Sequence, residues 1–139
     1  MDYLMYACIE DLHELITIDQ QVIGSSTRLD LIEKAIVEER CIIRKTQNGI
    51  AGFLIFTTDF FECSFISLVI VKPTERRKGI ATSLLAHFVE LASTPKIFSS
   101  TNQSNTNMQK VFDTAGFIRS GFIENLDEGD PEIIYFKLR

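Results

Sequence analysis

The run Ser67-Leu-Val-Ile-Val71 passes through Lys72-Pro-Thr-Glu-Arg-Arg-Lys-Gly79 into Ile80-Ala-Thr-Ser-Leu-Leu-Ala-His-Phe-Val-Glu-Leu91, and this stretch constrains the fold more than any other. Val69, Ile70 and Val71 are β-branched and favour a pleated strand. Pro73 fixes the exit from that strand and lacks the N–H that a ladder would need. Beyond the turn, Ile80, Leu84, Phe88 and Leu91, with Ala81, Leu85 and Ala92 beside them, recur at three- and four-residue spacing. That period describes a helix with one apolar face, and Ser93-Thr-Pro95 stops it. A strand feeding such a helix must lay the apolar face back on a sheet, which places the chain among layered α/β folds.

The turn has a chemistry of its own. The first N–H groups of a helix have no intrahelical partner and carry the positive end of its dipole, so a strand-to-helix turn binds anions through main chain alone. Gly79 permits close approach, and Arg76, Arg77 and Lys78 put three cations at the same place. The alternative is a plain solvated turn. Neither the Walker pattern nor the dinucleotide pattern Gly-x-Gly-x-x-Gly occurs in the chain.

With 139 residues there is room for one domain, spanning 1–139, and for no second. The net charge of −5 makes the cationic turn a local exception in an acidic protein, which disfavours nucleic acid as a partner. No apolar run has the length of a membrane span and the N-terminus lacks a signal pattern, so a cytoplasmic protein is expected. Cys8, Cys41 and Cys63 are odd in number, widely spaced and without clustered histidines. They propose neither a disulfide framework nor a metal site and read as small buried hydrophobes. Asn125-x-Asp127-x-Gly129-Asp130 has its glycine one position early for an EF-hand loop and reads as a solvated turn.

Along the chain, Tyr3 to Cys8 reads as a strand, Ile9 to Ile23 as a helix broken by Gly24-Ser-Ser-Thr27, and Ile32 to Arg40 as a second helix. Cys41–Thr46 and Ile50–Thr57 flank Gln47-Asn-Gly49, a hairpin signal. Phe60–Val71 follows as the next strand, with a turn expected at Thr58-Asp59. After Lys96–Ser100, a helix carries Met108, Val111, Phe112 and Ala115 on one face and stops at Gly116; Asn105 is one candidate cap and Thr106 with Gln109 another. Phe117–Ile123 and Glu132–Leu138 read as antiparallel strands joined by an acidic loop. The order is β-α-α-β-β-β-α-β-α-β-β.

Arg76-x-x-Gly79-x-Ala81, after a strand and opening a helix, resembles the acyl-CoA signature Gln/Arg-x-x-Gly-x-Gly/Ala of the GNAT superfamily of N-acetyltransferases. A second stretch is similar to that superfamily's Asn-x-x-Ala-x-x-x-Tyr-x-x-x-Gly-Phe element, with Asn105, Met108, Phe112, Gly116 and Phe117 in the matching places. Together the two cover about a third of the chain. The resemblance implies a mixed, mostly antiparallel α/β sheet flanked by helices. It implies transfer of an acetyl group from acetyl-CoA to a primary amine of a small molecule or peptide by direct attack, without a covalent enzyme.

In that picture the strand carrying Val69, Ile70 and Val71 splays from its neighbour, and the main chain of Val69 and Val71 bonds the pantetheine arm. The amides of Arg77, Lys78, Gly79, Ile80 and Ala81, with the Thr82 hydroxyl and the Arg76 cation, hold the pyrophosphate. Asn105 bonds the CoA chain or the acceptor, or is only a cap. Phe112 occupies the position where the superfamily commonly has a tyrosine that protonates the thiolate, so that role does not carry over; water, the ammonium proton or Tyr135 would serve. Apart from the resemblance, Glu62, read as midway along the central strand, and Glu124, at the mouth of the C-terminal loop, are the candidate bases. By analogy, Gly24 to Arg28 and Glu124 to Pro131 flank the acceptor, and an exposed edge strand would allow a homodimer. The alternative function is a non-catalytic acyl-CoA-binding module, which Phe112 permits.

Overall fold

The computed structural model describes residues 2–139. Its elements, joined by two 3-10 turns, are β1 (Tyr3–Tyr6), α1 (Leu12–Ile23), α2 (Leu29–Val37), β2 (Cys41–Thr46), β3 (Gly49–Phe60), β4 (Cys63–Val71), α3 (Ile80–Leu91), β5 (Lys96–Asn102), α4 (Thr106–Thr114), β6 (Ile118–Ile123) and β7 (Glu132–Leu138). This is the order read from the sequence. The strands form one seven-stranded sheet in the order β1-β2-β3-β4-β5-β7-β6. Every neighbouring pair is antiparallel except β4 and β5, whose parallel pairing needs the crossover that α3 supplies.

Each face of the sheet is packed by its own pair of helices. On one, Leu84, Leu85 and Phe88 of α3 and Phe112 of α4 pack with Leu54, Phe56, Ile66, Ile97 and Tyr135. On the other, Leu15 and Ile18 of α1 and Ile32, Ala35 and Ile36 of α2 cover Cys41, Ile43, Phe53, Ile55 and Ile70. Both sides of β3 are thus buried, which explains its nearly unbroken apolar run. The second pair of helices does not extend over β5, β7 and β6. There Phe60, Phe61, Phe98, Phe122 and Ile134 line an open apolar cleft of about 580 Å³. No helix among the described residues is long and apolar enough to cross a membrane.

The third strand is longer than the alternation predicts. β3 runs on to Phe60, and the turn falls at Phe61-Glu62, not Thr58-Asp59. Phe60 stacks on Phe65 with ring centroids 4.6 Å apart and lies 5.3 Å from Phe98, so aromatic contact prolongs the pairing to Phe60↔Cys63. Phe61 and Glu62 both have positive φ, 51° and 65°, as a two-residue hairpin turn requires.

Two irregularities position the cavity. Opposite β3, the register jumps from Ile55↔Leu68 to Phe56↔Ile66, leaving Ser67 as an extra residue whose Oγ donates to the Ile55 carbonyl at 3.1 Å. This bulge turns Ile66 toward α3 while Leu68 and Ile70 face α1. Immediately beyond it β4 leaves β5: the two pair only at Ser64↔Ile97, Phe65↔Phe98 and Ile66↔Ser99. The Ser99 hydroxyl donates to the Ile66 carbonyl at 2.8 Å and closes the apex of the split.

Candidate functional site

The split opens into a cavity of about 330 Å³ that passes between the two faces of the sheet. On the α3 and α4 side it is lined by Asn105, Met108 and Phe112; on the α1 and α2 side by Arg28, Ser100 and Glu132; and along its walls by Ile66 to Ile70 and Ser99 to Asn102. Beyond Ile66 the edge of β4 has no strand beside it, so its main-chain groups there are free for an extended ligand. Val69 and Ile70 line the cavity, and Val71 carries the strand on toward the cationic turn.

Helix α3 starts without a side-chain cap. Its first amides, on Ile80, Ala81 and Thr82, therefore point outward without the usual partner, and the Ser83 N–H is the first to bond, to the Gly79 carbonyl at 3.0 Å. Gly79 is left-handed with φ 75°, and a Cβ built on it would meet nothing within 4 Å among the described residues. The space above these amides is open. Arg77 is also left-handed, φ 64°, a conformation a side chain enters only at a cost of about 1 kcal/mol or more. Arg76 and Arg77 are exposed, whereas Lys78 is held by Glu75 in an ion pair of 2.8 Å. Among the described residues, two of the three cations are therefore unengaged by acidic side chains, and one is shared. The helix start is tied to the sheet by Arg44, which donates to Ser83 Oγ at 2.6 Å and pairs with Asp2 at 2.7 Å. That hydrogen bond holds the Asp2 carboxyl below its ordinary range.

Asn105 is the cap of α4, its Oδ1 accepting from the Met108 N–H at 3.0 Å, and it also lines the cavity. Gln109 is not part of a capping box; its amide donates to the Gln103 carbonyl at 2.6 Å. Phe112 is buried against Tyr135, rings stacked with centroids 4.5 Å apart. The Tyr135 hydroxyl is buried with no hydrogen-bond partner among the described residues, and the residue does not line the cavity.

The structure puts neither candidate base at the cavity. Glu62 is in the exposed turn between β3 and β4, at the opposite end of β4 from the split and not midway along the strand, because aromatic stacking moved that turn. Glu124 is exposed just past β6. The carboxylate that does line the cavity is Glu132, whose Oε2 accepts from Ser100 Oγ at 2.6 Å. Its signal was present: in Glu132-Ile-Ile-Tyr-Phe the alternation sets a charge on the face it shares with Ile134 and Phe136.

Arg28 is the other charged group of the lining. It follows Gly24, the left-handed stop of α1 with φ 79°, and its Nε lies 3.3 Å from Asp19 Oδ2. Asp19 is only 2% exposed. Burial pushes its carboxyl above the ordinary range, and Arg28 opposes that shift.

Comparison with known proteins agrees with this geometry. The family model described as Acetyltransferase (GNAT) family matches residues 9–117. No curated protein sequence matches the chain. Among solved structures, a GNAT-family acetyltransferase from Bacillus cereus ATCC 10987 is 52% identical, with a TM-score of 0.97 over 100% of this chain and 98% of that one. The ribosomal-protein-S18-alanine N-acetyltransferase from Escherichia coli shares the fold at 17% identity, TM-score 0.85, over 99% and 94% of the two chains. A putative streptothricin acetyltransferase from Bacillus anthracis str. Ames, solved with acetyl coenzyme A, aligns at 22% identity and TM-score 0.65 over 71% of this chain and 61% of that one. Motif, split sheet and family model converge, and the chain belongs to the GNAT acetyltransferase family.

Proposed function

We propose that the protein is an N-acetyltransferase that moves the acetyl group of acetyl-CoA to a primary amine of a small molecule or peptide, with Glu132 as the base. The observation that carries this reading is the through-sheet cavity, which has unpaired helix amides leading to one side and a carboxylate on the other. The diphosphate would rest on the α3 amides with Arg76, Arg77 and Thr82. The pantetheine arm would run along the free edge of Val69, Ile70 and Val71, with Asn105 and Phe112 beside it.

The acceptor nitrogen would attack the thioester carbonyl; a C–N bond forms, the C–S bond breaks, and the sulfur leaves with the electron pair. An alkylammonium must first lose a proton, which costs about 4.6 kcal/mol at neutral pH. Glu132 would take that proton directly or through water. Phe112 has no proton for the departing thiolate, so water supplies it through the cavity mouth. Thiol release from acetyl-CoA tests the assignment: Glu132→Gln should lower kcat by about 10² to 10⁴ while leaving acetyl-CoA affinity intact. An unaltered kcat would remove Glu132 from the role.

Phe112 favours a second reading, a binding module that has lost turnover. Acetyl-CoA binding without thiol release across a broad amine panel would establish it. Three unpaired cysteines fit a reducing compartment, and we place the protein in the cytoplasm. Pairing of two copies would use the edge strand β6, all of whose residues are exposed, Ile118, Phe122 and Ile123 among them. Sedimentation should then show a dimer that Phe122→Lys dissociates; a monomer in both proteins would exclude it.

A further inference from the structure

Among the described residues, Arg28 and Glu132 are the only acidic or basic side chains lining the cavity, one of each kind. They form no ion pair with each other. Both lie on the α1 and α2 side of the split, away from the helix amides that lead to the other side. Glu132 is braced by Ser100 at 2.6 Å, and Arg28 is braced from behind by Asp19, whose carboxylate meets Nε and not the terminal nitrogens. A guanidinium clamped through Nε presents its Nη edge, and that edge has no partner among the described residues. Such a fork fits the two oxygens of a carboxylate. Asp19 is 2% exposed, and placing a carboxylate there carries a desolvation cost that only its cationic neighbour offsets. The pair is therefore a built feature of the cavity wall and not an incidental surface contact.

From this juxtaposition we infer that the acceptor is a small amino acid, an amine that carries its own carboxylate, with Arg28 holding the acid group and Glu132 receiving the ammonium. This rests on the acetyl-transfer reading above and narrows its acceptor. A fixed cation at the acceptor mouth also disfavours polyamines and other acceptors with several positive charges, despite the acidic balance of the whole protein.

The test is thiol release from acetyl-CoA by wild type, Arg28→Leu and Arg28→Lys. The acceptors are glycine, β-alanine and γ-aminobutyrate, each beside its carboxamide and the alkylamine of the same length, with Asp- and Glu-initiated dipeptides as a separate arm. Calorimetry with acetyl-CoA is run on every variant. The wild type should prefer one free amino acid over its amide by about 10- to 100-fold in kcat/KM, the range of a charge-assisted hydrogen bond. Arg28→Leu should erase that ratio mainly through KM, and Arg28→Lys should restore part of it. Calorimetry that matches wild type shows that each variant is folded.

Acetyl-CoA binding and turnover with neutral amines preferred, or a preference unchanged in Arg28→Leu, would overturn the inference and leave the transferase reading standing. Turnover confined to the acidic dipeptides would overturn the free amino acid as the acceptor. No acetyl-CoA binding, or no thiol released with any acceptor, would overturn both.

Discussion

In the proposed reading, Gly79 decides whether the start of α3 can receive phosphate. Its left-handed φ of 75° strains any β-branched substitute by about 1–2 kcal/mol, and the added side chain would enter the open space above the Ile80 and Ala81 amides. Gly79→Val should therefore weaken CoA binding by about tenfold or more, and more than Arg76→Ala, Arg77→Ala or Lys78→Ala, as measured by calorimetry. Equal affinity in Gly79→Val and wild type would remove the phosphates from this turn. At Cys41 the expected quantity is a pH slope. Burial pushes its thiol up to about 12 from an ordinary value of 9.0. Between those values the unfolded chain gives up a proton that the folded chain keeps, so stability falls as pH rises through the window. The contribution lost between pH 8 and pH 10 is about 1 kcal/mol. Urea unfolding at both pH values should show that loss in wild type relative to Cys41→Val, in which the difference disappears. Parallel slopes in the two proteins would contradict the assigned cause. Of the three cysteines read from sequence as buried, only Cys41 is fully so; Cys8 is exposed and Cys63 partly buried.

Among the elements, α3 depends on a glycine at some distance in sequence. A Cβ on Gly52 of β3 would lie 2.8 Å from the Ile70 carbonyl oxygen and 3.0 Å from Ile80 Cγ2. The absence of a side chain there lets the first residue of α3 sit directly on the sheet. Gly52→Ala should destabilise the protein by about 1–3 kcal/mol in urea unfolding and also weaken CoA binding, since the helix start would be pushed off its seat. Unchanged stability would show that the neighbours yield freely. Most elements were legible because each carried its own period and stop: the Gln47-Asn48 hairpin, the left-handed Gly24 and Gly116, and the apolar stripe of α3 all came from local sequence. The longer β3 was not legible, because the contacts of Phe60 with Phe65 and Phe98 join residues from three strands. The bulge at Ser67 was hidden for the same reason, since register is a property of two strands and no single strand displays it.

For the whole molecule, the site divides into a half that was readable and a half that was not. The turn proposed to hold the anion is one continuous segment, so its residues could be named from the chain alone. The proposed acceptor half is assembled from the α1–α2 connection, the latter part of β5 and the start of β7, through Arg28, Ser100 and Glu132, and only the folded sheet brings these together. Glu62 ends up in the turn at the far end of β4, whereas Glu124 follows Ile123, the partner of Glu132, but is exposed and outside the cavity lining. What unites the two halves is the claim that unpaired amides at the start of α3 hold the diphosphate of CoA so that its thioester reaches the split. An amide-resolved NMR titration with CoA tests it most directly. The largest shifts are expected at residues 77–82, with smaller ones along Val69 to Val71 and at Asn105; shifts concentrated elsewhere, or none at millimolar CoA, would overturn the claim.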